Sequence, residues 1–93
     1  MPAKYGLESS VTNSLVADGC VIDGEVENCI IFRDCRVEKG AIVKNSILMP
    51  HGFVAEDASV NYCIADKAVT VRSGKNLSGA DSYPVYIGKG IVI

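Results

Sequence analysis

The residues in this 93-residue chain that could do chemistry are four cysteines, one histidine and a short basic run. Cys20, Cys29, Cys35 and Cys63 are spaced by nine, six and 28 residues, with no Cys-x-x-Cys pair. A structural zinc needs four close ligands, and a single histidine cannot complete such a set. That histidine, His51 in "MPHGF", has the side chain of a general base, yet Pro50-His51-Gly52 reads as a turn. A zinc-hydroxide site built on three histidines fails on count. Arg33, Arg36 and Lys39 offer cations for a phosphate, which a guanidinium fork binds well. The stretch "SGKNLSG" (73–79) has glycines and a lysine but neither the spacing nor the helix of a phosphate loop, and is expected to be a corner loop.

The elements that position these residues come from composition and repetition. The chain is 48% hydrophobic, which excludes a disordered segment. Its net charge of −2 argues against a nucleic-acid or anionic-membrane surface. No apolar run approaches the ~18 residues of a spanning helix, and residues 1–20 lack the pattern of a signal peptide. A cytoplasmic chain is therefore expected. No stretch carries a convincing helical period; short Val- and Ile-rich clusters closed by Gly, Asp, Asn or Lys are strands between tight turns.

Those clusters repeat. "VENCII" (26–31), "VKNSIL" (43–48) and "VNYCIA" (60–65) recur at 17-residue spacing, which aligns Val26, Val43 and Val60, then Ile30, Ile47 and Ile64, then Val37, Val54 and Val71. A shorter copy with Val11, Asn13, Leu15 and Ile22 precedes them by 15 residues. Three short strands per copy describe a triangular coil, with aliphatics inside and corners such as Glu38-Lys39-Gly40 and Glu56-Asp57 outside. One coil cannot bury its aliphatics alone, but stacked coils can, and each pairs its backbone with the next. The expected fold is all-β, a single-stranded parallel β-helix of four to five coils with no insertion after Val11.

Register then assigns the candidate residues. Cys29 and Cys63 are equivalent positions two coils apart, about 9–10 Å by strand spacing and beyond disulfide reach. Cys20 and Cys35 fall in adjacent coils. Four free thiols are expected. Asn13, Asn28 and Asn45 form a ladder suited to left-handed corner conformations and axial amide hydrogen bonds, replaced by Tyr62 in the next coil. Arg36 shares a column with Val21, Phe53 and Thr70, which an arginine interrupts.

The hexad pattern resembles the hexapeptide repeat of left-handed parallel β-helices, and the handedness rests on that resemblance. The ordered run "NSLVADGC", "GEVENC", "FRDCRVEKGAIVKNSI" within residues 4–49 resembles the C-terminal β-helix domain of bacterial ADP-glucose pyrophosphorylase (glucose-1-phosphate adenylyltransferase). The tail "GADSYPVYIGKGIVI" (79–93) is similar to that family's regulatory companion chain. The resemblance implies a lead-in at 1–10 from a nucleotidyltransferase domain and a β-helix domain at 11–93. It also implies a non-catalytic oligomerisation and allosteric role in glycogen biosynthesis. Expected partners are that catalytic domain, other subunits and a phosphorylated effector, with no cofactor in this segment. Arg36, flanked by Arg33 and Lys39, is the effector-binding candidate. The alternatives are a small trimeric acyltransferase using His51, or a β-helix scaffold of another sugar nucleotidyltransferase.

Overall fold

The computed structural model describes residues 3–7, 9–80 and 82–93, and its strands are all two or three residues long. In chain order the first coil holds β1 (Lys4–Tyr5), β2 (Ser10–Thr12) and β3 (Leu15–Val16). The second holds β4 (Val21–Ile22), β5 (Glu25–Glu27) and β6 (Ile30–Ile31). The third holds β7 (Arg36–Val37), β8 (Ile42–Lys44) and β9 (Ile47–Leu48). Then come β10 (Phe53–Val54), β11 (Ser59–Asn61) and β12 (Cys63–Ala65). The last coil has β13 (Thr70–Val71), β14 (Asn76–Ser78) and β15 (Val85–Ile87). Every third strand pairs in parallel, giving three five-stranded faces: β1-β4-β7-β10-β13, β2-β5-β8-β11-β14 and β3-β6-β9-β12-β15. This is the expected all-β parallel solenoid. Lys4–Tyr5 already pair with Val21–Ile22, inside the stretch expected as a lead-in.

The register reproduces the 15- and 17-residue spacings, with Val11 on Val26 on Val43 on Val60. Backbone groups leaving the strands are paired between coils as well, for example Asp23 N–H to the Val37 carbonyl at 2.8 Å and Glu38 N–H to that of Val54 at 2.9 Å. Residues at the bends take the left-handed conformation. Asn13, Asn28, Asn45 and Tyr62 do so between the second and third faces. Gly19, Asp34, His51, Ala68 and Gly90 do so between the third and first, and Gly40, Asp57 and Gly74 between the first and second. Asn, Asp and Gly tolerate that region at the least steric cost, which is why polar residues punctuate an apolar sequence.

The core is the column of inward side chains, with Val26, Val37, Val43, Val54, Val60 and Val71 at most 1% exposed. On the third face the inward positions are Ile31, Leu48, Ala65 and Ile87, not the Ile30, Ile47 and Ile64 column expected to fill it. The pleat explains the difference: adjacent strand residues point to opposite sides, and both are aliphatic here, so composition alone cannot choose between them.

Two irregularities break the 17-residue rhythm. At the corner after β4 the chain is two residues shorter than at the corner after β7, and Gly24 is buried there. A Cβ on Gly24 would lie 2.4 Å from the Ala41 carbonyl oxygen and 2.7 Å from that of Glu38, so only glycine fits the shortcut. In the last coil Ile64 pairs with Tyr86, 22 residues on, so a five-residue insertion stands where none was expected. It lies at the corner between the second and third faces and carries an Ala80–Tyr83 antiparallel bridge. The "SGKNLSG" stretch is likewise more regular than a loop: Gly74 turns a corner and Asn76–Ser78 is β14.

Candidate functional site

With the interior filled by hydrocarbon, chemistry is left to the outward columns and the corners. The second face is polar: Ser10, Glu25, Ile42, Ser59 and Asn76 form one outer column, and Thr12, Glu27, Lys44, Asn61 and Ser78 the other. Lys44 Nζ lies 3.6 Å from Glu27 Oε2 across neighbouring strands. The third face is apolar, with Leu15, Ile30, Ile47, Ile64 and Tyr86 in one register.

The first face carries Arg36. It stands between Val21 and Phe53 in the paired column, with Thr70 beyond, and its side chain is 54% exposed while its neighbour Val37 is buried. The arginine therefore interrupts an outer column rather than the core. Its Nε lies 3.1 Å from Glu38 Oε1, which orients the guanidinium along the face. Arg33 and Lys39 sit at the two ends of this face, at most about 20 Å apart along the chain at strand rise. Arg33 lines a shallow hollow with Asp18, Gly19 and Asp34. Lys39 lines another with Gly6, Leu7, Asp23, Glu38 and Glu56. The two hollows share no residue, and carboxylates accompany each cation, so the three basic residues do not line a common hollow.

His51 is exposed and in left-handed conformation at the corner between the third and first faces, the turn the sequence implied. The five-residue insertion stands at a different corner, across the third face from it. A histidine base and an overhanging loop, the pairing an acyltransferase site would require, are thus apart.

The corner between the second and third faces is held by polar ladders. The Asn13 amide donates to the Asn28 oxygen at 2.6 Å, Asn28 to Asn45 at 3.3 Å, and Asn45 to Asn61 at 3.2 Å. Tyr62 inherits the bend while Asn61 continues the amide chain, a division the sequence alignment missed because it followed one column. Beside this ladder runs Ser14, Cys29, Ser46 and Cys63. Ser14 Oγ accepts from Cys29 N–H at 3.0 Å and donates to the Thr12 carbonyl at 2.8 Å. Ser46 repeats this with Cys63 N–H at 3.2 Å and the Lys44 carbonyl at 2.7 Å. Pro84 of the insertion overhangs this corner, forming an open hollow with Asn45, Tyr62 and Ile47. The Asn28 and Asn45 amides and the Ser46 hydroxyl that line it are already committed to the corner ladders.

All four cysteines are free and buried. Burial pushes every thiol up from the ordinary value, that of Cys35 to about 11. Cys20 Sγ donates to the Phe32 carbonyl at 3.0 Å and Cys35 Sγ to that of Met49 at 3.2 Å. They behave as small core residues rather than nucleophiles. Among the described residues no group of three or more His, Cys, Asp or Glu is placed to hold a metal ion. Among the described residues no helix is long and apolar enough to cross a membrane.

Comparison with known proteins agrees with this architecture. The chain is 45% identical over 91 residues to the glycogen biosynthesis protein GlgD of Bacillus subtilis, covering 98% of this chain and 26% of that protein. It is 30% identical over 93 residues to the glucose-1-phosphate adenylyltransferase of Clostridium perfringens, covering 99% of this chain and 24% of the enzyme. Against the enzyme of the same name from Acetivibrio thermocellus it is 39% identical over 77 residues, 82% of this chain and 18% of the relative. The chain thus spans about a quarter or less of the length of these curated relatives. A family model described as GlmU-like, C-terminal hexapeptide matches residues 1–83. On the repeat, the solenoid and this match, the chain belongs to the GlmU-like C-terminal hexapeptide family.

Proposed function

We propose that this chain is a non-catalytic assembly and regulatory domain acting in glycogen biosynthesis, beside glucose-1-phosphate adenylyltransferase subunits in the cytoplasm. The observation that carries the reading is the 45% identity to glycogen biosynthesis protein GlgD along 98% of the chain. The site geometry supports it: the polar ladders are self-satisfied, the thiols are buried, and His51 stands apart from the one overhanging loop. What the surface offers is contact area and one oriented guanidinium.

In this reading Arg36 contributes to binding a phosphorylated effector. It is exposed, held by Glu38, and set between the apolar Val21 and Phe53, so its fork can take a phosphate without a buried ion pair to break. Arg33 and Lys39, at the ends of the face, add long-range attraction rather than ligands. The segment itself needs no cofactor.

The test is an adenylyl-transfer assay of a glucose-1-phosphate adenylyltransferase subunit with and without this chain, and of the chain alone. The expected result is no turnover by the chain alone and a changed response of the enzyme to phosphorylated sugars when the chain is added. Turnover by the chain alone, lost in His51→Ala, would overturn the non-catalytic reading. An unchanged enzyme response would overturn the regulatory one.

A further inference from the structure

We propose that Cys20 and Cys35 form a redox-sensitive staple, a thiol pair that closes to a disulfide between the second and third coils when a small disulfide oxidant gains access past β1. The device lies inside the fold and does not depend on the function proposed above.

Three observations carry it. First, the two residues are in register. Val21 pairs with Arg36 and Ile22 with Val37 in parallel, and the Val21 N–H donates to the Cys35 carbonyl at 3.0 Å, so Cys20 stacks on Cys35 in the inward column. Neighbouring strands stand about 4.8 Å apart, inside the Cα separation a disulfide spans. Cys29 and Cys63 have Ser46 between them and no such neighbour. Second, the sulfurs are placed to meet. Cys20 Sγ donates to the Phe32 carbonyl at 3.0 Å, which draws it down to the layer that holds Cys35. Below Cys35 the column holds Gly52, where a Cβ would stand 3.5 Å from Cys35 Sγ. With no side chain there, Cys35 can give up its Met49 carbonyl and turn to Cys20 without dragging a neighbour. Third, access is graded. Above Cys20 the column holds Ala3, and beside it β1 is a two-residue edge strand with Lys4 and Tyr5 exposed. Edge strands open locally at far lower cost than the whole fold. Lifting β1 breaks the 2.8 Å bond from Lys4 N–H to the Cys20 carbonyl and uncovers Cys20, while Cys29 and Cys63 stay enclosed.

With β1 closed, the thiols are the inert core residues described above. Burial raises both, but the Cys35 thiol donating to the Cys20 sulfur favours the Cys20 thiolate, so Cys20 is the attacking group. It attacks one sulfur of the small disulfide and expels one small thiolate. Cys35 then attacks the Cys20 sulfur and expels the second. One external S–S bond breaks, one internal bond forms, and the two protons of the pair leave on the two small thiols. A reducing compartment keeps the pair open, the state seen here.

The test exposes the reduced, folded chain to oxidised glutathione, then counts thiols after denaturation in acid and maps the peptides. The expected result is loss of two of the four free thiols, a peptide joining positions 20 and 35, and a melting temperature raised by at least about 5 °C. Cys20→Ser and Cys35→Ser should each abolish the internal bond, while Cys29→Ala forms it as the parent does. Tyr5→Ala, which loosens β1, should speed bond formation at least about 5-fold. Survival of all four thiols, linkage through Cys29 or Cys63, or a glutathione adduct on Cys20 that Cys35 never displaces overturns the staple. A rate unchanged by Tyr5→Ala overturns the entry route.

Discussion

The second and third faces are built from the same repeat and share one corner, yet they present opposite surfaces. Inside, they are equivalent: Val26, Val43 and Val60 on one, Ile31, Leu48 and Ala65 on the other, all 2% exposed or less. Outside, the second carries Ser, Thr, Glu, Lys and Asn with Ile42 as its one aliphatic, and the third carries Leu, Ile and Tyr. A solenoid needs only its inner column for stability, so the outer positions are free to vary. Where an outer column stays apolar across all five coils, folding does not require it, and a contact outside the chain explains it better.

The largest expected effect separates the two sides of a single strand. Leu48→Ala removes a buried side chain and should cost about 2–5 kcal/mol. Ile47→Ala, its neighbour, should cost under ~1 kcal/mol in the monomer, because its side chain already faces outward. Val43→Ala on the second face should resemble Leu48→Ala at the lower end of that range. Urea unfolding at low protein concentration checks all three. Equal losses for Leu48→Ala and Ile47→Ala would break the distinction between inner and outer columns.

Next in size is the shared corner. Ser46→Ala leaves the buried Cys63 N–H without its acceptor and should cost about 1–3 kcal/mol. Asn45→Ala, at a more exposed step of the amide ladder, also forfeits a residue that tolerates the left-handed bend, and should cost about 1–2 kcal/mol. If Ser46→Ala melts like the parent, the corner ladder does not hold the two faces together.

A smaller effect is read by alkali. Burial raises the folded thiols above their ordinary 9.0, Cys35 to about 11, so the unfolded chain releases these protons first. Unfolding is therefore favoured as pH rises: the contribution of the thiols to stability is intact below about 9 and declines towards 11. The melting temperature should fall across that window, and less steeply in Cys35→Val. An identical slope in the two proteins would show that Cys35 does not titrate on unfolding. Smallest of all, Ser59→Glu on the second face should change stability by no more than ~0.5 kcal/mol.

Much of this was legible in the sequence, and the limits have physical causes. The 17-residue recurrence of Val26, Val43 and Val60 specifies stacked coils because only stacking buries them. Asn45 and His51 at fixed offsets mark bends because few residues accept positive φ. The third face defeated the same reasoning: "SIL" offers two adjacent aliphatics, and which one points inward is decided by the pleat relative to the preceding corner. The outward column of the third face was therefore present as an alignment of Ile30, Ile47 and Ile64 but assigned to the wrong side. The five extra residues in the 79–84 corner escaped for a similar reason, since Val85–Ile87 continues the hexad pattern and hides the change of register. Arg36 stood out as an interruption, but whether it interrupted the core or the surface depended on the same parity.

The central claim is that each strand of the third face turns one aliphatic inward and its neighbour outward, so that folding rests on the inner column. Glutamate placed at Leu48 and, separately, at Ile47 tests it in a single thermal-melting comparison at low protein concentration. The account predicts that Leu48→Glu, which buries an unpaired carboxylate, unfolds the chain, while Ile47→Glu melts close to the parent. Equal loss in the two variants, or a greater loss for Ile47→Glu, would contradict it.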